Sequence, residues 1–151
     1  MPLFSRRHSL LPFGVTLVAV LASVGWTASP LQEARDLYAE RRYAEAEQVF
    51  SKLEKQFPHH PEVLLYSGKL AVKRRDWDAA IDFLERAQEL KPDDAKISFE
   101  RGTASGLYAS SLGKSFSALT HARRASKAML RAIELAPKNL SYRQALIEFS
   151  L

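Results

Sequence analysis

Residues able to do chemistry are sparse in this chain, and most of them are cations. His59 and His60 adjoin in the run Phe57-Pro58-His59-His60-Pro61. Neighbouring residues point in different directions and no third ligand stands near, so a solvated turn is expected there and no metal site. His121 has serines close by but no carboxylate within ten residues to orient it. There is no His-Glu-x-x-His pair, no Gly-x-Ser-x-Gly elbow and no phosphate-cradling glycine loop. The chain has no cysteine, which excludes a thiol nucleophile, a thiolate zinc site, a disulfide framework and an attached haem. Neither catalysis nor a cofactor is expected.

The cations are unevenly placed. Residues 31–94 carry 11 basic and 14 acidic side chains, whereas residues 95–151 carry 9 and 3. From Arg101 to Arg131 no acidic residue occurs, while Arg101, Lys114, Arg123, Arg124, Lys127 and Arg131 are all present. Two readings stand side by side: a long solvated face, or a basic ridge for an anionic partner such as an acidic protein face or an envelope polymer.

The first 29 residues have a separate plan. Arg6 and Arg7 precede an apolar run from Leu10 to Val24, and small residues (Ala22, Gly25, Ala28) follow. Basic, apolar and small-residue regions in that order make a secretory signal peptide, cleaved after Ala22, Gly25 or Ala28. The alternative is an uncleaved inner-membrane anchor, although the run is short against the roughly 20 residues of a comfortable span. Ser5-Arg6-Arg7 resembles the twin-arginine export motif, but Ser9 stands where that motif wants phenylalanine, so general secretion is expected. The expected location is periplasmic or secreted, or anchored in the inner membrane and facing the periplasm. The membrane is a partner only through an uncleaved leader. Export and the acidic residues 31–94 both argue against a nucleic-acid partner.

Past the leader the chain repeats itself. Tyr43, Ala46, Phe50, Leu53 and Pro58 recur 34 residues later as Trp77, Ala80, Leu84, Ala87 and Pro92. Ala34, Gly68 and Gly102 follow the same period. A third closing half (Ala122, Ala125, Met129, Ala132, Leu135, Pro137) lies 45 residues after its counterpart, so 11 extra residues fall between Gly102 and Ala122. Gly68, Ala80 and Ala87 sit where two helices must approach, and Leu64, Trp77, Leu84 and Leu90 are expected to fill the remaining faces. Leu107 is expected on the inward stripe of the third unit. Eleven residues are about three helical turns, which would lengthen the helices without turning their apolar faces, with a break expected around Ser110 to Gly113.

This pattern resembles the tetratricopeptide repeat, a helix-turn-helix unit that buries its apolar face only by stacking on copies of itself. In particular it resembles small exported bacterial members whose last repeat is lengthened. The resemblance implies an all-α, right-handed helical-repeat solenoid over residues 30–151. Its repeats would span about 30–60, 61–94 and 95–139, with a closing helix at 140–151 capped by Asn139. It also implies a concave groove lined by the first helix of each unit, which matches onto Arg35, Tyr38, Leu65, Lys69, Val72, Lys73, Phe99 and Thr103. Leu65, Val72 and Phe99 are equally well read as core. Some members grip a C-terminal carboxylate with lysines, asparagines and arginines. Here Leu31 and Arg35 replace the first lysine and asparagine, Tyr66 replaces the second asparagine, and Lys96 alone fits, so that mode is not expected.

The implied function is a non-catalytic scaffold or adaptor in the bacterial cell envelope, holding a peptide or protein segment in the groove. The competing reading is a membrane- or polymer-associated structural protein using the basic third repeat. The apolar ending Phe149-Ser150-Leu151 has no helix stop, so Leu140–Leu151 is expected to pair with a partner or a second copy, or to be followed by further helices.

Overall fold

The structure is a computed structural model that describes residues 29–150. The leader read in residues 1–29 lies outside them except for Ser29. Seven helices occur among the described residues: α1 (Pro30–Ala39), α2 (Tyr43–Gln56), α3 (Pro61–Arg74), α4 (Trp77–Leu90), α5 (Ala95–Ser111), α6 (Phe116–Leu135) and α7 (Leu140–Ser150). They pair as α1/α2, α3/α4 and α5/α6, with α7 closing the stack. The result is an all-α helical-repeat solenoid.

Local sequence sets the ends of these helices. Pro30 and Pro61 occupy first turns, where a missing N–H costs nothing and the fixed φ suits a helix. Ser29 Oγ accepts from the Gln32 N–H at 3.2 Å, Asp94 Oδ1 from the Lys96 and Ile97 N–H groups at 2.9 and 3.1 Å, and Ser115 Oγ from Ala118 at 3.1 Å. Asn139 Oδ1 accepts from the Ser141 N–H at 3.1 Å, as its position suggested. At the first two hairpin turns the chain stops helically by the same device. Arg42 N–H reaches back to Leu37 O and Arg41 N–H to Tyr38 O; Asp76 reaches Ala71 O and Arg75 reaches Val72 O. That double closure requires a left-handed residue, and Arg41 (φ 63°) and Arg75 (φ 61°) supply it at a steric cost that glycine would avoid.

Packing follows the 34-residue period. A Cβ on Gly68 would lie 2.7 Å from Leu84 Cγ, and one on Gly102 would lie 2.7 Å from Met129 Cγ and 3.1 Å from the Ala125 carbonyl. Glycine therefore lets the two helices of a unit touch backbone to side chain. One apolar cluster joins Ala34, Leu37, Ala46, Phe50 and Leu53 of the first unit to Val63, Tyr66 and Leu70 of α3. A second joins Leu64, Ala80, Leu84 and Ala87 to Ile97 and Ala104 of α5. Each core is thus completed by the first helix of the next unit, which is what makes stacking obligatory.

The third unit is longer where the sequence placed its extra residues. α5 and α6 have 17 and 20 residues against 14 each in α3 and α4. The turn falls at residues 112–115 with Gly113 at φ 60°. The additions lie at the helix ends beside this turn, so nothing needs to rotate. The Gly102–Met129 contact keeps the relation of Gly68–Leu84 for that reason, and whole-turn arithmetic is not what preserves it. Two expected core residues are not core. Leu90, the last residue of α4, and Leu107 on α5 are each 43% exposed; the first ends its helix, and the second repeats the register position of Lys73.

Two substitutions test this account by denaturant unfolding. Gly102→Val should destabilise by about 1–3 kcal/mol, because Met129 can move but the Ala125 carbonyl cannot. Arg75→Gly should stabilise by roughly 0.5 kcal/mol, the relief of left-handed strain exceeding the extra unfolded-state entropy of glycine.

Candidate functional site on the first helices

The helices α1, α3 and α5 stand side by side, and one register position per unit (Arg35, Lys69, Thr103) points to their shared open face. Ion pairs cross from each helix to the next. Arg35 meets Glu62 at 3.1 Å, and Lys69 Nζ meets Glu100 at 2.8 Å. The second pair is well shielded, with side chains only 16% and 21% exposed, so it forms a cross-link between α3 and α5 and is more than a surface contact. Thr103, half-buried, donates its hydroxyl to the Phe99 carbonyl one turn back at 3.1 Å.

Aromatic rings floor this face. Tyr38 packs against Tyr43 and Tyr66, both at 5.3 Å between centroids, and Tyr66 stacks on Phe50 at 5.1 Å. Lysines lie over the rings: Lys69 5.1 Å from Tyr38 and 5.4 Å from Tyr66, Lys96 5.1 Å from Tyr66, and Lys73 5.4 Å from Tyr43. A ring face attracts an ammonium group and holds it in place. Burial pushes the Tyr38 phenol far above the ordinary tyrosine range, helped by the Glu100 carboxylate. Lys73 and Lys96 have no carboxylate within ion-pair distance among the described residues.

Three residues read as groove do not line it. Leu65 is 4% exposed inside the second core, Val72 packs half-buried against that same core, and Phe99 stacks on Tyr142 of α7 at 4.5 Å. The reason is positional. Leu31, Leu65 and Phe99 occupy one register site that faces the first helix of the following unit, not the open side. Conversely, sequence reasoning passed over Tyr43, Glu100 and Leu107 as groove residues, and took Tyr66 and Lys96 only as comparisons with a carboxylate grip. Glu100 had a signal, being the single carboxylate between Asp94 and Glu134. The tyrosines had none, because their contact is made across two helices.

The six basic residues read as a ridge divide into groups. Arg101, Arg123, Lys127 and Arg131 line one open cleft with Leu119 and Leu130. Arg131 is already engaged, with Asp93 at 2.7 Å and Glu134 at 3.4 Å. Lys114 sits in the turn between α5 and α6, and Arg124 is exposed off the cleft. On α7, Tyr142 and Phe149 face α5, while Leu140 and Ile147 are 71% and 62% exposed.

With this geometry in place, comparison with known proteins is direct. Residues 31–95 match the tetratricopeptide repeat family model. Residues 31–95 are similar to the tetratricopeptide repeat, and the helical-repeat fold extends past them. No curated protein sequence matches it, but solved structures do. The first repeat domain of Spaghetti (RPAP3) bound to the HSP90 peptide SRMEEVD has 20% identity and a TM-score of 0.66 over 80% of this chain and 87% of that one. The NMR structure of the first domain of human RPAP3 gives the same values. MamA from Desulfovibrio magneticus RS-1, residues 41 to the end, has 23% identity and a TM-score of 0.63 over 80% of this chain and 62% of that one. At these identities the likeness is one of fold. The family match ends at residue 95; the third helical pair repeats the packing of the second, with Gly102 against Met129 as Gly68 is against Leu84.

The Lys69–Glu100 cross-link yields a measurable coupling. Lys69→Met and Glu100→Gln should each destabilise the protein, and the double variant should lose less than the two together, by roughly 1 kcal/mol in a denaturant-unfolding cycle.

Proposed function

We propose that the chain is a non-catalytic scaffold whose first helices hold a protein segment bearing acidic and apolar side chains. The observation that carries this reading is the pair Lys73 and Lys96. Both ammonium groups are fixed over tyrosine rings, on the face that Leu107 leaves apolar and open, and neither is neutralised by a carboxylate among the described residues. Lys69 differs: Glu100 already satisfies it, so its role is to hold α3 against α5. An acidic side chain of a partner would meet preplaced charge, and an apolar one would meet Leu107 and the ring edges. The RPAP3 domain gives a precedent in a similar fold, since the peptide bound to it carries three acidic residues. Protein interaction is the general use of this fold; the bacterial envelope setting and export through the leader are our proposal from the first 29 residues.

A panel of labelled short peptides with acidic and apolar residues in varied order, read by fluorescence anisotropy, tests the site. Peptides combining both should bind, and Lys73→Glu together with Lys96→Glu should weaken the best of them about tenfold, the worth of two modest charge contacts. Lys127→Glu on the outer side should leave binding unchanged. If all three substitutions act alike, the groove is not the site. Mass spectrometry of the protein recovered from its native host tests export separately: a mature start between Ser23 and Ser29 is expected, and an intact Met1 would indicate an anchor.

A further inference from the structure

The lengthened hairpin of the third unit carries an assembly that the first-helix face does not use. The six residues that α6 gains before Ala122 carry its start about 9 Å beyond the level where α4 begins, at 1.5 Å per residue. At that end stands Phe116, 86% exposed, with Leu119 at 47% and Leu112 half-buried beside them. Nothing in the fold covers Phe116, and an exposed phenylalanine at the tip of an extension is not a packing residue. Around it are small hydroxyl side chains: Ser110, Ser111, Ser115 and Ser117.

Charge is arranged behind this apolar front. Lys114 is in the turn. Arg123 and Arg124 lie seven and eight residues along α6 from Phe116, about 10–12 Å back from the tip. The two carboxylates that bracket the segment in sequence are both occupied, Glu100 by Lys69 and Glu134 by Arg131. No acid competes for Lys114, Arg123 or Arg124 among the described residues.

We propose that the α5–α6 tip is a docking surface for an anionic lipid bilayer. Apolar groups at interfaces enter about 5–10 Å to the headgroup–acyl boundary, which would place Phe116 and Leu119 in that layer and the arginines at the level of the phosphates. Long cationic side chains extend readily to such a plane. The shape argues for lipid over an acidic protein. Phe116 stands 86% exposed at the end of the extension, so a protein would need a matching pocket for it, whereas a fluid surface needs none. No helix among the described residues is long and apolar enough to cross a membrane; the proposed contact is one of side chains at the tip. It is independent of the groove.

The absence of cysteine makes the test site-specific. Ser117→Cys in the full chain is labelled with an environment-sensitive fluorophore and titrated with vesicles of phosphatidylglycerol and phosphatidylcholine in equal parts, or of phosphatidylcholine alone. The emission should shift to the blue on the anionic vesicles only, and a label at Ser51 on α2 should not respond. Phe116→Ser should raise the half-saturating lipid concentration about tenfold, and Arg123→Glu with Arg124→Glu should abolish the shift, both variants keeping the helical circular dichroism of the parent. An equal response to neutral vesicles would overturn the proposal. So would a silent label on a chain that still sediments with vesicles, which would assign the attachment to another segment. A response to polyglutamate but not to vesicles would overturn it in favour of an acidic protein partner.

Discussion

The structure depends on a contact that glycine permits: in the second and third units, one helix is pressed against its partner closely enough that a Cβ would collide. Gly68 against Leu84 and Gly102 against Met129 set the separation within the second and third units. Alanines at 34, 46, 80, 87, 125 and 132 keep neighbouring positions equally tight. With the pairs this close, one unit cannot enclose its large side chains alone, and the first helix of the next unit completes their cover. The two core clusters accordingly straddle unit boundaries. Stacking is the condition under which any unit has a core at all.

That condition also determines what the first helices can offer to a partner. Each has one side committed to its own second helix and another to the following first helix. What remains is a narrow strip, and the strip is basic and aromatic. Within it, charge is partly spent on architecture. Arg35 and Lys69 tie adjacent helices through Glu62 and Glu100, whereas Lys73 and Lys96 are held by rings alone. A lysine over a tyrosine keeps its full charge for a partner, while a lysine on a carboxylate does not.

The third unit departs from the other two only where stacking leaves it free. Its additions extend the turn end of the hairpin and leave the glycine contact unchanged. A segment released from packing constraints tolerates residues that a core would reject, and here it carries an exposed phenylalanine and arginines without an ion pair among the described residues. The basic residues that look like one ridge in sequence are divided by the helix into a cleft wall, a tip and an ion pair with Asp93.

How much of this was legible in the sequence varies with the range of the interaction. The period of 34, the helix ends at Pro30, Pro61 and Asn139, and the position of the long hairpin turn were all readable. They depend on backbone chemistry, capping and spacing within a few residues, or on contacts repeated identically in each unit. The site was half legible. Arg35, Tyr38, Lys69 and Lys73 lie on the open face as the register implied, yet Leu65 and Phe99 do not, since α5 and α7 cover them. Which lysine is neutralised was not readable either, because Glu100 reaches Lys69 from a different unit. The sequence by itself determined a stack of helical pairs and its register. Only the tertiary structure decided which side of each first helix the next unit buries and which cations it leaves unpaired, because both depend on side chains meeting across units where no local spacing rule operates.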